Sequence, residues 1–459
     1  MGFACRPMRN GQVFLARTEE RIMLLQIWDV FFNQFLTKPQ LLLGVVVAIG
    51  YILLKRPWVR VLTGAVKTAV GVMILSVGAG QLVGTFRPII FAVSERFGIQ
   101  GAIIDPYAGL PAVLDALGEN SGWVGYTIMV AFALNIVLVL LKRWTRFRAV
   151  FLTGHIMFIQ SAFVTWLVHY SLDTSLGATV LIAGILTGLY WTIGSHLLIE
   201  PTDKVTGGAG FTLGHQQMFM DWIATKIAPR IGDPEDSTET LKLPEWLSFV
   251  QDNIVSVAVL MTIFMGVLML ALGPAKVQEM AGTTHWLVHI LLTGLSFAVN
   301  VTIILTGVRI FVAELAISFK GVSDRLLPGA VVGVDCPAVF PYAPTALILG
   351  FLVTTVAQLI AVGILLAIGA PYLVIPGFVP LFFDGGPVAI YANAYGGWKA
   401  SVVCCFILGL VQVFGSAWAL SVAGVVGGWM GNFDWATFWP AVTTILQLIG
   451  GALGVGPMG

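Results

Sequence analysis

The sequence predicts an all-α polytopic membrane protein, from its composition, its apolar runs and the placement of its basic residues. Hydrophobic residues make up 58% of the 459 residues and charged residues only 10%. A water-soluble protein carries about 25% charged residues, so this chain has too few to cover a solvated surface. The net charge of +1 provides no basic surface for nucleic acid, and no such partner is expected.

Eleven apolar runs predict the transmembrane helices, since a span needs about 20 apolar residues. We expect approximate spans at 40–54, 61–79, 123–141, 148–170, 174–198, 253–273, 286–311, 345–369, 398–414, 415–431 and 437–456. The lipid bilayer is therefore the environment that we expect for most of the chain.

Basic residues predict how these spans are oriented. Lys55, Arg56 and Arg60 follow the first span, and four more basic residues lie within 142–148, between the third and fourth spans. Because basic loops stay in the cytoplasm, we expect a periplasmic N-terminus. Residues 199–252 then form the largest cytoplasmic stretch, which is either a solvated loop or a docking surface for a soluble partner.

Five spans precede the stretch 199–252 and five follow it, before one final span. An odd number per half turns the second half upside down, which predicts the inverted repeat of alternating-access carriers. Two proline-containing segments occupy corresponding places, 80–118 with Asp105 and 321–343 with Asp335. Since irregular backbone at membrane depth must be buried or line a cavity, we expect re-entrant hairpins that meet near the midplane.

These patterns divide the chain into five segments. They are an N-terminal arm with an amphipathic segment (1–35), a first membrane repeat (36–198), a cytoplasmic loop with the GHQQ motif (199–252), a second membrane repeat (253–431) and a final span (432–459). Residues 1–22 are expected to be an upstream start or a dispensable arm. The abrupt glycine-rich end predicts a truncated C-terminus.

Polar residues in apolar runs are the candidates for function, because burying them in a membrane is costly. His155 lies in the fourth span, and the alternative for it is a buried histidine satisfied by a carbonyl. Four glycines precede His215, Gln216 and Gln217, whose rings and amides suit a polyhydroxylated ligand unless this is a loop without a ligand. Asp335 has the chemistry to accept a proton from a substrate hydroxyl during phosphoryl transfer.

Other polar residues predict no further chemistry. The four cysteines lack metal-ligand spacing, so no metal and no cofactor are expected. Cys336 adjoins Asp335, and its apolar surroundings favour an inert thiol over a phosphocysteine. We expect Glu314 to form an internal ion pair with Arg309.

Five motifs together resemble one family of permeases. They are LTGHIM at 152–157, GHQQ at 214–217, FVAEL at 311–315, PGAVVGVDC at 328–336 and IPGFVPLFF at 375–383. From about Met23 to about Asp434 the chain resembles the ascorbate-type permease, or C component, of the bacterial sugar phosphotransferase system. The related galactitol permeases make the resemblance less specific for the sugar.

The resemblance implies a homodimer in the bacterial inner membrane, with a moving core domain and a dimerising scaffold domain. It implies that L-ascorbate, or a related sugar acid, enters from the periplasm and reaches the cytoplasm by an elevator-like motion. A soluble B component with a phosphocysteine then phosphorylates the sugar. The chain would thus take part in catalysis only together with its soluble A and B components.

The resemblance also assigns site residues. Matched by position, the substrate-binding residues are Tyr107, His155, His215, Gln216 and Asp335. Asp335 and His215 are the two candidates for the catalytic base of phosphoryl transfer, and the choice between them stays open.

One departure from the family pattern bears on the substrate. The family carries two glutamines after GHIMF, where this chain has Ile159 and Gln160. Ile159 lies one helical turn from His155, so we expect the ligand-facing side to have lost an amide.

A second hypothesis is a proton-coupled secondary transporter of a sugar or sugar acid, with Asp335, Asp105 and His155 as a proton relay. A standalone enzyme lacks support, because no nucleophile–base pair or metal triad is present.

Overall fold

The computed structural model of the chain describes residues 38–96, 101–240, 253–424 and 428–452, together with the single residues 30, 98 and 454. The predicted N-terminal arm at 1–22 and the last residues of the final predicted span lie outside this described part. The described part is dominated by helices, as the composition predicts.

Fourteen helices are labelled here in chain order. They are α1 (Pro39–Leu53), α2 (Trp58–Arg96), α3 (Pro106–Leu117), α4 (Trp123–Leu140), α5 (His155–Leu172), α6 (Leu176–Leu197), α7 (Ile199–Thr206), α8 (Met218–Ile227), α9 (Asn253–Leu272), α10 (Pro274–Ala281), α11 (Trp286–Arg325), α12 (Pro344–Ala367), α13 (Gly385–Ala423) and α14 (Phe438–Ala452). Among the described residues, six helices are long and apolar enough to cross a membrane, or seven if the pair α9–α10, bent by 112°, is one span. The polytopic membrane fold is confirmed, whereas the count of eleven spans is not.

Two regions differ from the predicted spans. The run 148–170 begins with a strand and a turn, so its helix starts only at His155. The runs 398–414 and 415–431 were expected as two spans, but α13 continues to Ala423 and bends instead at Gly396 and Gly397. Gly397 has φ +66, a left-handed conformation that glycine adopts without a steric cost. Hydropathy has no signal for such a bend, because the chain is apolar on both sides of it.

The two segments expected as re-entrant hairpins are built differently. Residues 80–96 are the end of α2, which stays helical through Pro88. Membrane helices tolerate such a proline because neighbouring groups satisfy the freed backbone. Among the described residues of the two segments, the irregular backbone includes the short strands Ala102–Ile104 and Val331–Val334, the turn at 326–330 and the 3-10 helix Cys336–Tyr342.

In the described part of the chain, six short strands form two parallel sheets that the hydropathy pattern does not predict. The strands are β1 (Ala102–Ile104), β2 (Ala149–Phe151), β3 (Phe211–Leu213), β4 (Val331–Val334), β5 (Val374–Pro376) and β6 (Gly428–Trp429). The sheet orders are β5-β1-β6 and β2-β4-β3, and all the pairs are parallel. Each strand pairs through backbone hydrogen bonds, which is required of non-helical backbone at membrane depth.

The two sheets exchange places when the first three strands are matched with the last three. Matching β1, β2 and β3 with β4, β5 and β6 turns the order β5-β1-β6 into β2-β4-β3. The central strands β1 and β4 each follow a very long helix, α2 with 39 residues and α11 with 40. This correspondence supports the inverted repeat, whose direction across the membrane stays a prediction.

A long-helix group, defined as α1, α2, α9 and α11, packs mainly on itself. Glycines let its helices approach closely: a Cβ on Gly307 would lie 2.5 Å from the carbonyl oxygen of Gly71. Helix α10 packs on α9 and α11, and the other remaining helices surround the two sheets and are called the sheet group. The fold thus has two bodies of packed elements, with α2 and α11 along their boundary.

Glu314 holds the long-helix group together through partners that differ from the expected one. Its carboxylate lies 2.9 Å from the guanidinium of Arg60 and accepts a hydrogen bond of 2.6 Å from the Tyr51 hydroxyl. The ammonium of Lys67 lies 3.9 Å away. The predicted pair with Arg309 is wrong, because residues five apart on a helix do not share a face whereas α1 and α2 bring their side chains directly over Glu314.

Candidate functional site

Three of the predicted site residues follow the strands of one sheet. Asp335 comes directly after β4, His215 comes two residues after β3, and His155 comes four residues after β2. Because the strands are parallel, their carboxyl ends meet at one edge of the sheet. The sheet therefore brings together side chains from both halves of the chain.

Asp335 lies between the two imidazoles. One carboxylate oxygen is 3.8 Å from His155 Nε2 and the other is 3.7 Å from His215 Nε2. The Asp335 side chain is 20% exposed and accepts a hydrogen bond of 2.7 Å from the backbone N–H of Cys336. The separations from the imidazoles exceed hydrogen-bond length, so these groups remain available to a polar ligand.

His215 is the buried member of this trio. Its side chain is 2% exposed, and neither ring nitrogen has a hydrogen-bond partner among the described residues. Burial lowers the pKa of His215 to about 4, although the carboxylate of Asp335 opposes the shift. The ring is therefore neutral near pH 7, where it offers one N–H donor and one acceptor nitrogen.

A cavity of about 540 Å³ opens beside the trio. Its polar lining includes Arg87, Tyr107, His155, His215 and Asp335. Val379 and Phe383 supply apolar surface, and α2 forms the opposite wall with residues 75–87. Such a volume and mixture of lining residues suit a small organic ligand. The cavity lies on the boundary between the long-helix group and the sheet group.

Four of the five predicted binding residues line this cavity, and Gln216 does not. The side chain of Gln216 is fully buried, and neither atom of its amide has a partner among the described residues. The segment 211–218 is buried as a whole. This segment therefore differs from the solvated loop that was one of the two alternatives for residues 199–252.

Gln160 supports the site through a hydrogen bond to the backbone of His215. Its side-chain nitrogen donates to the carbonyl oxygen of His215 at 3.1 Å, and its side-chain oxygen accepts from Trp191 Nε1 at 2.6 Å. Ile159 is 3% exposed and is not among the residues that line the cavity. On the first turn of α5 it is His155 and Ile156 that face the cavity, so the change at Ile159 leaves the cavity lining intact.

Arg87 is a lining residue that the sequence reasoning missed. Its guanidinium lies 3.6 Å from a carboxylate oxygen of Asp105. An arginine in an otherwise apolar run is the available signal, but the hairpin expected at 80–118 placed Arg87 outside the predicted spans. Asp105 itself caps α3, accepting from the backbone N–H groups of Tyr107 at 2.9 Å and Val379 at 3.3 Å.

One group among the described residues has ligand atoms close enough to hold a metal ion. The ligand atoms of His215, Asp335 and Cys336 lie within 4.8 Å of one another. Cys336 is buried, and its Sγ lies 3.3 Å from the carbonyl oxygen of Phe383. That contact suits a thiol that donates its hydrogen rather than a thiolate bound to a metal. The arrangement therefore favours hydrogen bonding to an organic ligand.

Comparisons with known proteins identify the family of this chain. The family model described as "PTS system sugar-specific permease component" matches residues 34–441. The "Ascorbate-specific PTS system EIIC component" of Mycoplasma pneumoniae is 33% identical over 452 residues, covering 89% of this chain and 68% of that protein. The chain therefore belongs to the family of sugar-specific permease components of the phosphotransferase system (PTS), multi-pass membrane proteins that act on a sugar with phosphotransferase partners.

Proposed function

We propose that this protein carries L-ascorbate, or a closely related sugar acid, across the bacterial inner membrane and presents it for phosphorylation. The observation that carries the proposal is the convergence of His155, His215 and Asp335 on one cavity. The similarity to a permease named for ascorbate supports the choice of sugar.

The cavity has the groups that an anionic, hydroxylated ligand requires. The neutral ring of His215 both donates and accepts, which suits sugar hydroxyls. Arg87 supplies positive charge at the same cavity, as a sugar acid needs. Tyr107 offers a ring and a hydroxyl, and its side chain is 47% exposed. In this proposal Gln216 binds substrate only in a conformation that turns its buried amide toward the cavity.

Asp335 is our choice for the base of phosphoryl transfer. A sugar hydroxyl loses its proton to the Asp335 carboxylate, and its oxygen attacks the phosphorus of the phosphocysteine on the B component. The phosphorus–sulfur bond breaks, and the cysteine leaves as a thiolate. Asp335 is preferred to His215 because its carboxylate is ten times more exposed, at 20% against 2%, and a carboxylate performs this role in other phosphoryl transfers.

The position of the cavity supports an elevator-like motion. The cavity lies between α2 of the long-helix group and residues of the sheet group. A shift of the sheet group along α2 would carry His155, His215 and Asp335 together, because they belong to one sheet. In this proposal the sheet group is the moving core and the long-helix group is the scaffold.

We also propose that the scaffold forms a homodimer and that the N-terminus is periplasmic. Helix α1 exposes a stripe of large apolar side chains, namely Leu41, Val45, Ile49 and Ile52. Their spacing of three or four residues places them on one face. Such a face suits either lipid or a second copy of the chain, and the dimer follows from the resemblance stated above.

The test is binding of radiolabelled ascorbate to the purified protein, followed by phosphorylation with added A and B components. We expect saturable binding that His215→Ala weakens by about 30-fold, and we expect Asp335→Asn to bind ascorbate without yielding the phosphorylated product. Asp115→Asn, at an exposed carboxylate on α3, is the matched control. Failure of the folded wild type to bind ascorbate would redirect the search to galactitol and other sugar acids. Uptake of unmodified sugar driven by a pH gradient would favour the proton-coupled alternative.

A further inference from the structure

A second cavity, of about 340 Å³, lies on the boundary between the long-helix group and the sheet group. Of its eight lining residues only Arg309 and Tyr342 carry polar side chains, and the other six are alanine, valine and proline. Arg309 belongs to α11, whereas Tyr342 is the last residue of the 3-10 helix that follows β4. This cavity is called the arginine cavity, and the cavity beside Asp335 is called the sugar cavity.

The 3-10 helix connects the two cavities. It begins directly after Asp335, which lines the sugar cavity, and its last residues, Pro341 and Tyr342, line the arginine cavity. The ring of Tyr342 lies 6.5 Å from the ring of Phe211, the first residue of β3, whereas His215 follows the end of that strand. The two cavities therefore lie toward opposite ends of β3.

The contacts between α2 and α11 give the level of Arg309 along the long-helix group. A Cβ on Gly71 would lie 2.9 Å from the carbonyl oxygen of Gly307, and a Cβ on Gly78 would lie 2.8 Å from that of Asn300. The residue numbers rise on one helix as they fall on the other, so the helices are antiparallel. Arg309 therefore lies near the level of Gly71.

This level is just beyond one end of the sugar cavity. On α2 the sugar cavity is lined by residues from Leu75 to Arg87. Gly71 is four residues before Leu75, which at 1.5 Å per residue is about 6 Å along the helix. The start of α2 carries the basic residues that predict its cytoplasmic end. Arg309 therefore lies on the predicted cytoplasmic side of the sugar cavity, while Arg87 lies at the other end of it.

Arg309 has no protein partner in the described part of the chain. Its side chain is exposed, and its guanidinium forms no hydrogen bond, ion pair or ring contact with the described residues. No carboxylate lines the arginine cavity. The hydroxyl of Tyr342 also has no hydrogen-bond partner among the described residues. An unpaired cation in a helix that can cross the membrane is costly and marks a functional position.

We propose that the arginine cavity binds the phosphoryl group of the phosphorylated sugar once it has formed, with Arg309 and Tyr342 as the hydrogen-bond donors. The inference rests on the proposed function, which yields a phosphate monoester. The planar guanidinium donates two parallel N–H bonds to phosphate oxygens, and the phenol hydroxyl donates a third.

The charges of the two cavities favour movement of the product from one to the other. A phosphate monoester carries a charge of about −1.5 to −2 at pH 7. The carboxylate of Asp335 repels that charge in the sugar cavity, and Arg309 attracts it in the arginine cavity. The alanine, valine and proline side chains offer nothing to sugar hydroxyls, so the arginine cavity selects the phosphoryl group and not the sugar.

A lipid headgroup phosphate has the same chemistry. The sugar phosphate is the occupant that we choose, because sheet-group residues form one wall of the arginine cavity. The 3-10 helix in that wall leads directly to Asp335, where the phosphate monoester forms in the proposed function.

The test is equilibrium binding of radiolabelled ascorbyl phosphate, the phosphate monoester of ascorbate, to the purified full-length protein in phosphate-free buffer. We expect saturable binding that Arg309→Gln weakens by about 10-fold or more, through loss of charge-assisted hydrogen bonds. Tyr342→Phe should weaken it by about fivefold, and Arg309→Lys should fall between Arg309→Gln and the wild type. Arg325→Gln, at the exposed last residue of α11, is the matched control and should bind like the wild type.

Three results would overturn the proposal. The first is a folded wild type without saturable binding. The second is affinity that is lost in His215→Ala and kept in Arg309→Gln, which would place the ester in the sugar cavity. The third is an unchanged affinity in Arg309→Gln together with loss of a copurified phospholipid, detected by mass spectrometry, which would assign Arg309 to a lipid headgroup.

Ascorbate binding, measured in parallel, separates this proposal from the proposed function. A wild type that binds the ester through Arg309 and does not bind ascorbate would uphold the arginine cavity and contradict only the choice of sugar. A wild type that binds ascorbate and not the ester would overturn the arginine cavity and leave the proposed function in place.

Discussion

The sheets β2-β4-β3 and β5-β1-β6 have the same parallel strand arrangement, but the aspartates that follow their central strands have different surroundings. In each sheet an aspartate comes directly after the central strand, Asp335 after β4 and Asp105 after β1. The Asp335 side chain is 20% exposed beside two imidazoles, whereas that of Asp105 is 2% exposed beside Arg87. Corresponding positions in two similarly ordered sheets thus need not share a role.

The difference between the two aspartates lies in their hydrogen-bond donors. Asp105 accepts from the backbone N–H groups of Tyr107 and Val379, which joins α3 to the segment after β5. Among the described residues, the Asp335 carboxylate accepts a hydrogen bond from the next residue, Cys336, and from no other. A carboxylate whose two oxygens both accept structural hydrogen bonds is held in place as a structural contact, whereas one left open beside a cavity keeps more of its acceptor capacity for a ligand.

The largest expected effect is on formation of the phosphorylated sugar, and it is seen when the single variants Asp335→Asn and Asp105→Asn are compared. Asp335→Asn should lower formation of the phosphorylated sugar by about 100-fold or more, since loss of a general base costs 10²–10⁴-fold. Asp105→Asn should lower the free energy of unfolding by about 1–3 kcal/mol, through the loss of buried hydrogen bonds, and retain phosphorylation per folded molecule. Phosphorylation assays and thermal unfolding check both. Equal loss of phosphorylation in the two folded variants would contradict the different roles of Asp335 and Asp105.

His215→Ala should weaken ascorbate binding by about 30-fold. The substitution removes the neutral imidazole, and with it two hydrogen bonds to the sugar worth about 1 kcal/mol each. The measurement is equilibrium binding to the purified protein. His169→Ala is the matched control, since His169 lies away from the cavity against Trp123. Similar weakening in His169→Ala would mean that general loosening, rather than contact with the sugar, explains the effect.

A third prediction separates the two residues that follow the GHIMF motif. Gln160→Leu removes the donor to the His215 carbonyl and should weaken binding by about 10-fold. Ile159→Gln should leave the affinity within about twofold and lower the thermal midpoint, because it places an amide at a position only 3% exposed. A gain of affinity in Ile159→Gln would instead restore the interpretation that this position faces the sugar.

The pH dependence of stability should show the burial of His215. Its folded pKa of about 4 lies below the unfolded value of about 6.5. The contribution to stability is therefore complete above pH 6.5 and is lost as the pH falls toward 4. Between pH 7.5 and pH 5.5 we expect the wild type to lose about 1 kcal/mol more than His215→Gln. Parallel unfolding curves for the two proteins would contradict the lowered pKa.

Sequence reasoning succeeded where the signal is local. Scarce charge implies a membrane protein whatever the fold, and a histidine or aspartate in an apolar run is costly enough to mark a site. His155 and Asp335 could be selected in this way, and His215 by the glycine-rich GHQQ motif, and the structure brings the three side chains together. Gln216 was selected by the same argument, but its side chain does not line the cavity, because neighbours along a chain point in different directions.

What the sequence determined by itself is the class of protein and the residue types that carry its chemistry. Only the tertiary structure decided the two sheets, the carboxylate between two imidazoles, and the role of Gln160 behind His215. Strand β4 pairs with β2 across a large sequence separation, Ala149 with Val331. A strand of three or four apolar residues has the same composition as one turn of a membrane helix. Its identity as a strand therefore depends on a partner that only the folded chain supplies.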